Sequence, residues 1–383
     1  MDVDQQVQAL DHSTLVPLIR RALDRDAAEL VSWEHRQIYG GLGAAVALST
    51  VHRLTGAARV GGETLPWPLI LKVLARPAGS ADAAGRAVAG WNREVLTFRS
   101  GLLDDLPPGL AAPRCFAIEE RPEAIWLWLE DVAETVGPRW PLARFALAAR
   151  HLGQFNGRYL AGRPLPDQPW LSRAVLRGRA ERNAAFWAGQ APVRDQALLD
   201  RFFPSDLLDR ARRVWDERHA LLDALDRLPQ TLVHGDADRR NLFARRGPAG
   251  EDETVAIDWA WTGVAAAGEE LVNLVAASAI WFQVEERDLP ALAEACLAGY
   301  GAGLAAAGWR GEARLPRVGF AVGTALRYGP FGPFTIMLRH PEMAPAMARA
   351  TGHDPEALAD RMAAVQRFAF DQLDAVHGDI AAL

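Results

Sequence analysis

The sequence predicts an α+β protein in two parts, a small antiparallel sheet with one main helix and a larger, mostly helical part. Three observations carry this prediction. Short β-type runs separated by glycine and proline turns occupy much of the first 130 residues. From Trp140 onward, alanine and leucine recur at helical spacing. The 383 residues suffice for two packed cores. We therefore divide the chain into residues 1–130 and 131–383.

The first part opens with an amphipathic helix, because apolar residues follow Ser13 and Thr14 at helical spacing with Pro17 in the first turn. Glycine and proline then mark turns between alternating apolar runs. The predicted elements are a helix over residues 14–26, three antiparallel strands between residues 38 and 74, a helix at about 82–100, and a hairpin of strands 115–119 and 125–129.

The second part reads as helical except near residues 229–258. Three short apolar runs there predict strands at residues 231–233, 242–244 and 255–257, and polar loops separate them. Polar loops at strand ends are common positions for binding and catalytic residues. We therefore expect the chemistry of this protein to lie in these loops.

Composition excludes several classes of function. A net charge of −6 argues against a binder of nucleic acid, and the two distant cysteines, Cys115 and Cys296, predict neither disulfides nor a zinc site. The first six residues are polar and acidic, unlike a signal peptide, and the longest apolar run, 271–282, is short for a membrane span. We expect a cytoplasmic protein without a membrane segment, a monomer or weak homodimer that acts on a small molecule.

The strongest functional pattern is His234-Gly235-Asp236, followed by Asn241 and later by Asp258. Phosphoryl transfer needs a carboxylate that orients or deprotonates the attacking hydroxyl, and oxygen ligands for the magnesium that bridges the nucleotide phosphates. Asp236 suits the first role, and Asn241 and Asp258 suit the second. The alternative is an ordinary polar turn, in which Asp, Asn and Gly are common for conformational reasons.

Other charged residues lie between Asp236 and Asn241. Arg239 is our second candidate catalytic residue, because a guanidinium in this loop can neutralise charge on the transferring phosphoryl group. A solvated pair formed by Arg239 and Arg240 explains the pattern equally well. Asp238 either binds a cationic substrate or pairs with a neighbouring arginine, and the sequence does not decide between the two.

Lys72 is the single lysine among 42 lysine and arginine residues. It lies in a run that is apolar on both faces, where an isolated ammonium is costly to bury and should have an anionic partner. Glu94 lies on the packing face of the next predicted helix, so we expect the two to pair. Such a pair aims the lysine at the α- and β-phosphates in nucleotide-dependent phosphotransferases. A surface lysine and a glutamate at the helix rim are the alternative.

Two further segments are candidates for nucleotide binding. Gly40, Gly41 and Gly43 form a turn before the lysine strand, where backbone N–H groups can cover phosphates, although a simple hairpin would use the same residues. Glu130 and Val132 follow the last strand of the sheet and are the candidate hinge that reads the adenine through its backbone. A plain strand end with acidic neighbours is the equally weighted alternative.

The motif at residues 234–236, with Asn241 and Asp258 at their spacings, resembles that of the aminoglycoside phosphotransferase and choline kinase-like family. The resemblance implies a bilobal protein kinase-like fold, with ATP (alternatively GTP) and Mg²⁺ bound in a cleft and a small-molecule hydroxyl as acceptor. It also implies Asp236 as the base and Asn241 and Asp258 as metal ligands, with His234 ordering the loop. The acceptor class includes aminoglycosides and other antibiotics, aminoalcohols and sugars.

The chain departs from the family pattern at two places. Ala44 and Ala45 stand where the family's glycine loop often has Ser-Asn, and residues 267–270 replace a usual Pro-Asp step, which leaves Glu269 and Glu270 without an assigned role. A catalytically silent, kinase-like binding protein is the second hypothesis. A kinase for protein side chains is less favoured, because the chain lacks a His-Arg-Asp loop.

Overall fold

The computed structural model describes residues 3–38, 49–77, 90–189, 197, 200–201, 204–247, 249–331 and 343–383. The candidate glycine turn at Gly40, Gly41 and Gly43 lies outside these residues. The chain divides into two compact units, one formed by Met1–Asp104 with Ala112–Ala133 and the other by Asp105–Ala111 with Glu134–Leu383.

Helices and strands alternate over the first third of the chain. In chain order the elements are α1 (Val3–Gln8), α2 (His12–Leu23), β1 (Glu29–Ile38), β2 (Ser49–Val60), β3 (Glu63–Ala75), α3 (Arg93–Arg99), β4 (Leu110–Ala111), β5 (Cys115–Glu120) and β6 (Ala124–Leu129). All except β4 belong to the first unit.

A five-stranded antiparallel sheet in the order β1-β2-β3-β6-β5 forms the first unit. The predicted hairpin of β5 and β6 and the turn at Gly61 and Gly62 are present, and both glycines have positive φ (56° and 93°), which suits residues without a Cβ. The first strand begins at Glu29, earlier than predicted. Exposed and half-buried residues do not alternate strictly along this strand, and a strand prediction depends on such alternation.

The N-terminal helix starts earlier than the Ser13/Thr14 cap predicts. Asp11 is the N-cap residue, and its carboxylate accepts a hydrogen bond from the backbone N–H of Thr14 at 2.9 Å. Helix α2 therefore begins at His12 and ends at Leu23. Its buried residues pack on one face of the sheet, together with Trp126 and Trp128 of β6.

The opposite face of the sheet carries a second apolar cluster. Ile125, Leu127 and Leu129 of β6 pack there with Val95 of α3. Lys72 of β3 is opposite Leu127 in the sheet register, so its side chain lies on the face that α3 covers. The prediction that both faces of the lysine strand are apolar is therefore correct.

The second unit is mostly helical. Its elements after residue 134 are α4 (Leu142–Leu160), α5 (Val175–Trp187), α6 (Ser205–Asp216), α7 (Arg218–Arg227), β7 (Gln230–Val233), β8 (Leu242–Arg246), β9 (Asp252–Ala256), β10 (Gly263–Ala266), α8 (Ser278–Ile280), α9 (Leu289–Ala306), α10 (Arg314–Tyr328), α11 (Met343–Thr351), α12 (Pro355–Ala375) and α13 (His377–Ala381). A π-helical turn, Asn273–Ala277, precedes α8.

Helices α4 and α9 pack in close backbone contact. A Cβ on Gly153 would lie 2.3 Å from the carbonyl oxygen of Tyr300, and one on Gly303 would lie 2.1 Å from that of Arg150. Only glycine permits this approach. Within the described part of the chain, the segment Glu286–Ala306, which contains α9, is the one helix long and apolar enough to meet the requirements of a membrane span. One face of α9 packs on α4.

Two small sheets hold the polar loops of the second unit. Strand β7 pairs with β10, and β9 lies between β8 and β4. The three strands predicted in this region are present as β7, β8 and β9. Because the short strand β4 pairs with β9, Asp105–Ala111 belongs to the second unit although the chain then returns to the first.

Candidate active site

Asp236 lies in the loop between β7 and β8, and three groups from different parts of the chain contact its carboxylate. The side-chain amide of Asn241 donates a hydrogen bond to Oδ2 at 3.2 Å, and that of Asn273 donates to Oδ1 at 2.6 Å. The guanidinium of Arg327 lies 3.5 Å from Oδ1. Two amides and one cation thus hold both carboxylate oxygens in one orientation.

The environment of Asp236 raises the pKa of its carboxyl group to about 6. Burial is the largest cause, and the nearby carboxylates Asp238 and Asp258 add to it, whereas Arg327 opposes the shift. A group with a pKa near neutrality is suited to accepting a proton. The three acidic residues predicted around this loop are therefore close enough to affect one another electrostatically.

His234 and Gly235 fix the course of the loop. The buried His234 ring bonds through Nε2 to the carbonyl oxygen of Ile257 at 2.9 Å, and its Nδ1 accepts from the Asp236 N–H at 3.2 Å. Both ring nitrogens are thus engaged by the backbone, and burial lowers the pKa of the imidazole. Gly235 has φ +82°, and a Cβ there would lie 2.4 Å from the carbonyl oxygen of Trp261.

The buried carboxylate of Glu270 binds backbone N–H groups of this loop, a role that the sequence pattern did not reveal. Its Oε2 accepts from the His234 N–H at 2.8 Å, and its Oε1 accepts from the Gly235 N–H at 3.1 Å. The side chain of Asn156 on α4 donates to Oε2 at 3.2 Å. Glu270 therefore connects this loop to helix α4.

We expect Glu270→Gln to destabilise the protein, because the new amide NH₂ would face one of the two backbone N–H groups that Glu270 now accepts. A buried donor left without a partner costs about 1–3 kcal/mol. Urea unfolding of wild type and variant measures this loss. Glu312→Gln is the matched control, since the exposed Glu312 pairs with Arg314 at the surface and such pairs contribute about 0–1 kcal/mol. Equal loss of stability in the two variants would contradict the role of Glu270.

Asn273 is a second residue that sequence reasoning missed. It begins the π-helical turn Asn273–Ala277, and such turns are frequent at functional sites. Its amide nitrogen bonds Asp236, and its Oδ1 accepts from the hydroxyl of Tyr328 at 2.8 Å. The turn lies in an apolar run that the sequence analysis considered only as a candidate membrane segment.

Asn241 and Asp258 lie at the same end of the β8–β9 hairpin. The N–H of Ile257 bonds the carbonyl oxygen of Asn241 at 2.8 Å, which places Asp258 one residue beyond that pairing. Asp258 has φ 60° and ψ 63°, a left-handed conformation that is uncommon outside glycine and recurs at functional sites. Because the amide nitrogen of Asn241 is used by Asp236, its amide oxygen is the atom left for another ligand.

Arg239 does not lie where a phosphoryl-neutralising residue was expected. Its buried guanidinium donates to the carboxylate of Glu134 at 2.8 Å and to the carbonyl oxygens of Gly137 at 2.6 Å and Leu242 at 2.8 Å. It also lies over the Trp140 ring, 4.0 Å from the centroid. The geometry therefore gives Arg239 a structural role and corrects the expectation that it is catalytic.

Asp238 forms an ion pair with Arg240, which is one of the two alternatives given for Asp238. The Arg240 guanidinium lies 2.5 Å from Asp238 Oδ2 and covers the Trp281 ring at 3.7 Å. Asp238 also accepts from the Arg240 N–H at 2.7 Å. The guanidinium next to the candidate base is that of Arg327, which comes from α10 and not from the loop.

In the first unit, Lys72 and Glu94 form the predicted ion pair. The distance from Lys72 Nζ to Glu94 Oε2 is 2.6 Å, and the side chains are 11% and 1% exposed. A buried carboxylate in an apolar cluster needs such a partner. The pairing follows from the sheet register, which directs Lys72 towards α3.

The candidate hinge also lies in the first unit, directly after β6. The Glu130 N–H donates to the carbonyl oxygen of Arg114 at 2.9 Å, and its carboxylate accepts from the Arg114 N–H at 3.0 Å. Between it and the buried Val132, Asp131 pairs with Arg53 at 2.6 Å. Hydrogen bonds to Arg114 and an ion pair with Arg53 of β2 thus anchor this segment to the first unit.

No protein-family model and no curated protein matches the sequence. Among solved structures, choline kinase from Cryptosporidium parvum Iowa II is similar at a TM-score of 0.54 and 12% identity, over 96% of this chain and 97% of that chain. Aminoglycoside 2'-phosphotransferase-IIIa, in its GDP complex, is similar at 0.52 and 13% identity, over 93% and 99%. The chain therefore has the bilobal kinase-like fold of these two enzymes, as the sequence motif predicted.

Proposed function

We propose that this protein is a nucleotide- and Mg²⁺-dependent phosphotransferase that phosphorylates a hydroxyl group of a small molecule. The observation that carries the proposal is the carboxylate of Asp236, whose two oxygens are bound by Asn241 and Asn273 and whose pKa is raised to about 6. In this proposal Asp236 orients the acceptor hydroxyl and accepts its proton during in-line transfer. The fold, which two small-molecule kinases share, supports it.

In this proposal Lys72 contacts the α- and β-phosphates, and Glu94 holds the ammonium in place. The ion pair at 2.6 Å supports these roles. The glycine turn at Gly40, Gly41 and Gly43 would cover the phosphates. Backbone atoms of Glu130 and Val132 would contact the base. ATP is the first choice of donor, and GTP is the alternative.

The donor set at the hairpin end fits a hard divalent cation. Asn241 offers an amide oxygen and Asp258 a carboxylate, which are the ligand types that Mg²⁺ prefers. Asp238 and Asp258 both raise the pKa of Asp236, so the loop holds negative charge that a cation would relieve. Bound Mg²⁺ would neutralise charge on the nucleotide phosphates, and Asn241 and Asp258 would be the residues that hold it.

We expect Asp258→Ala to weaken Mg²⁺-dependent nucleotide binding more than Asn241→Ala does, because an ionised carboxylate is the stronger ligand for a hard cation. Calorimetric titration of nucleotide with and without Mg²⁺ measures the effect. Asp252→Ala, on an exposed residue of the same hairpin, is the control. The site is wrong if both variants keep the wild-type affinity and its dependence on the metal.

The charges beside Asp236 favour an acceptor that carries a negative group. Arg327 lies next to Asp236, and the Nε of Arg179 on α5 is buried without a hydrogen-bond partner in the described part of the chain. Burial, the largest cause, and the nearby guanidinium of Arg327 together lower the pKa of Arg179 to about 9. With Mg²⁺ bound at the acidic residues of the loop, these two close cations would attract an anion and repel a polycation. We therefore propose a hydroxylated anion as acceptor in preference to an aminoglycoside or choline.

A phosphorylation screen with acceptors matched in skeleton but not in charge tests this function. Glycerol, glycerate and glycerol phosphate form one series, and choline and an aminoglycoside represent the cations. Each is incubated with ATP or GTP, with Mg²⁺ or with EDTA, and products are located by mass spectrometry. We expect Mg²⁺-dependent phosphorylation that is strongest for anionic members.

The outcomes of the screen separate the hypotheses. Phosphorylation confined to cations would retain the phosphotransferase and exclude the anionic acceptor. Nucleotide binding without turnover of any compound, including water, would favour the catalytically silent binding protein. Absence of nucleotide binding would refute the phosphotransferase and leave only a silent protein that binds another ligand.

A further inference from the structure

A cluster of Asp4, His35 and His52 lies in the first unit, where the register of His52 with Leu71 places it on the face of the sheet opposite to that of Lys72. Asp4 is on α1, His35 on β1 and His52 on β2. The sheet register pairs His35 with Leu54 and Gln37 with His52, so the two histidines are diagonal neighbours on the same face of the sheet. Helix α1 brings Asp4 over that face.

The three side chains direct one ligand atom each to a common point. His35 Nε2 lies 3.0 Å and His52 Nδ1 lies 3.9 Å from Asp4 Oδ1, and all three atoms lie within 4.8 Å of one another. A tetrahedral zinc ion with bonds of about 2.0–2.1 Å separates its ligand atoms by about 3.4 Å. The two measured distances to Asp4 bracket that separation.

One ligand atom of the cluster lacks a partner. His52 is 1% exposed, and its Nδ1 is buried without a hydrogen bond, while its Nε2 lies 3.3 Å from the hydroxyl of Thr50. A buried polar atom without a hydrogen bond needs an explanation, and a missing ion is one. A cation between Nδ1 and Asp4 would satisfy it, and the Thr50 contact would orient the ring, as partners of metal-bound histidine do.

We propose that Asp4, His35 and His52 bind a transition-metal ion of the zinc class. Two imidazoles and one carboxylate are ligands for such ions, whereas Mg²⁺ prefers oxygen alone, so this site differs in chemistry from that of Asn241 and Asp258. Asp4 is 63% exposed, which leaves room for solvent as a fourth ligand.

The ion would fasten α1 to the sheet. This helix has six residues, of which Val7 alone is buried. A metal that joins Asp4 to two adjacent strands would add a strong connection between α1 and the sheet. Binding to the folded state alone raises the stability of that state by mass action. The site is therefore structural in this proposal and does not depend on the proposed phosphotransferase activity.

Titration of the whole 383-residue chain with metal tests the proposal. The chain is freed of metal with a chelator and held in millimolar Mg²⁺ to occupy sites of oxygen ligands. Zn²⁺ is then added in a calorimeter, and Co²⁺ is followed by visible absorption. We expect one tight site, a tetrahedral Co²⁺ spectrum and a higher melting temperature with Zn²⁺.

Three variants decide whether these residues are the ligands. His52→Gln should weaken Zn²⁺ binding at least about 100-fold, and Asp4→Asn about 10- to 100-fold. The exposed His219 supplies the control His219→Gln, which should bind as wild type does. Asp4 is exposed, so Asp4→Asn remains informative if the buried His52 variant fails to fold. Wild-type protein that binds no Zn²⁺, or equal affinity in Asp4→Asn and His219→Gln, would overturn the proposal.

Discussion

Asp236→Asn should lower kcat by ~10²- to 10⁴-fold, the usual contribution of a general base, while nucleotide affinity changes little. The substitution keeps the shape of the side chain and removes its ability to take a proton. Asp236 acts on the acceptor in this scheme, and the metal and phosphates are assigned to other residues. Steady-state kinetics with the acceptor found by screening, together with nucleotide titration, measures both effects.

The Asp236→Asn variant needs a control for stability. Asn241 and Asn273 each donate to one oxygen of Asp236, so an amide at this position satisfies one donor and opposes the other. Thermal unfolding should show a loss of about 1–3 kcal/mol, and kinetics are compared below that transition. Asp252→Asn changes an exposed carboxylate in the same unit and should leave turnover unchanged. A folded Asp236→Asn protein with near wild-type kcat would refute the assignment of the base.

Local sequence patterns predicted those parts of the site that adjacent segments build. Asp236, Asn241 and Asp258 come together because one loop and one hairpin connect them, and the spacing alone implied this. Lys72 and Glu94 were paired because a buried ammonium in an apolar strand requires an anion. The structure contains this ion pair, with 2.6 Å between Lys72 Nζ and Glu94 Oε2.

Long-range packing supplies the residues that the sequence did not reveal. Asn273 bonds Asp236 only because a π-helical turn brings its amide to the loop, and Arg327 arrives from α10. Glu270 is buried under the loop, at a position to which the sequence assigned no role. Arg239, in contrast, lies in the loop at the expected sequence position, but its guanidinium bonds the carboxylate of Glu134 and packs over the Trp140 ring. Side-chain direction in a loop depends on such partners, which spacing does not specify.

Lys72→Arg should lower kcat/KM by at least ~10-fold, although this protein uses arginine at every other basic position apart from histidine. A planar guanidinium is larger than an ammonium and cannot occupy the same point between Glu94 and the nucleotide phosphates. A 10-fold loss corresponds to roughly 1.4 kcal/mol of transition-state stabilisation. Steady-state kinetics with varied nucleotide measures the loss.

Lys72→Met should lose more activity than Lys72→Arg, and it should lose stability as well. Methionine leaves the carboxylate of Glu94, 1% exposed, without its ammonium partner, and breaking a buried pair in this way costs about 3–5 kcal/mol. The double variant Lys72→Met with Glu94→Gln should recover stability without recovering activity, because it removes the unpaired charge but not the need for a cation at the phosphates. Arg76→Lys, on an exposed residue just beyond the same strand, is the matched control and should change neither quantity. Full activity in Lys72→Arg, or recovery of activity in the double variant, would assign the lysine to the sheet alone and remove it from the phosphate site.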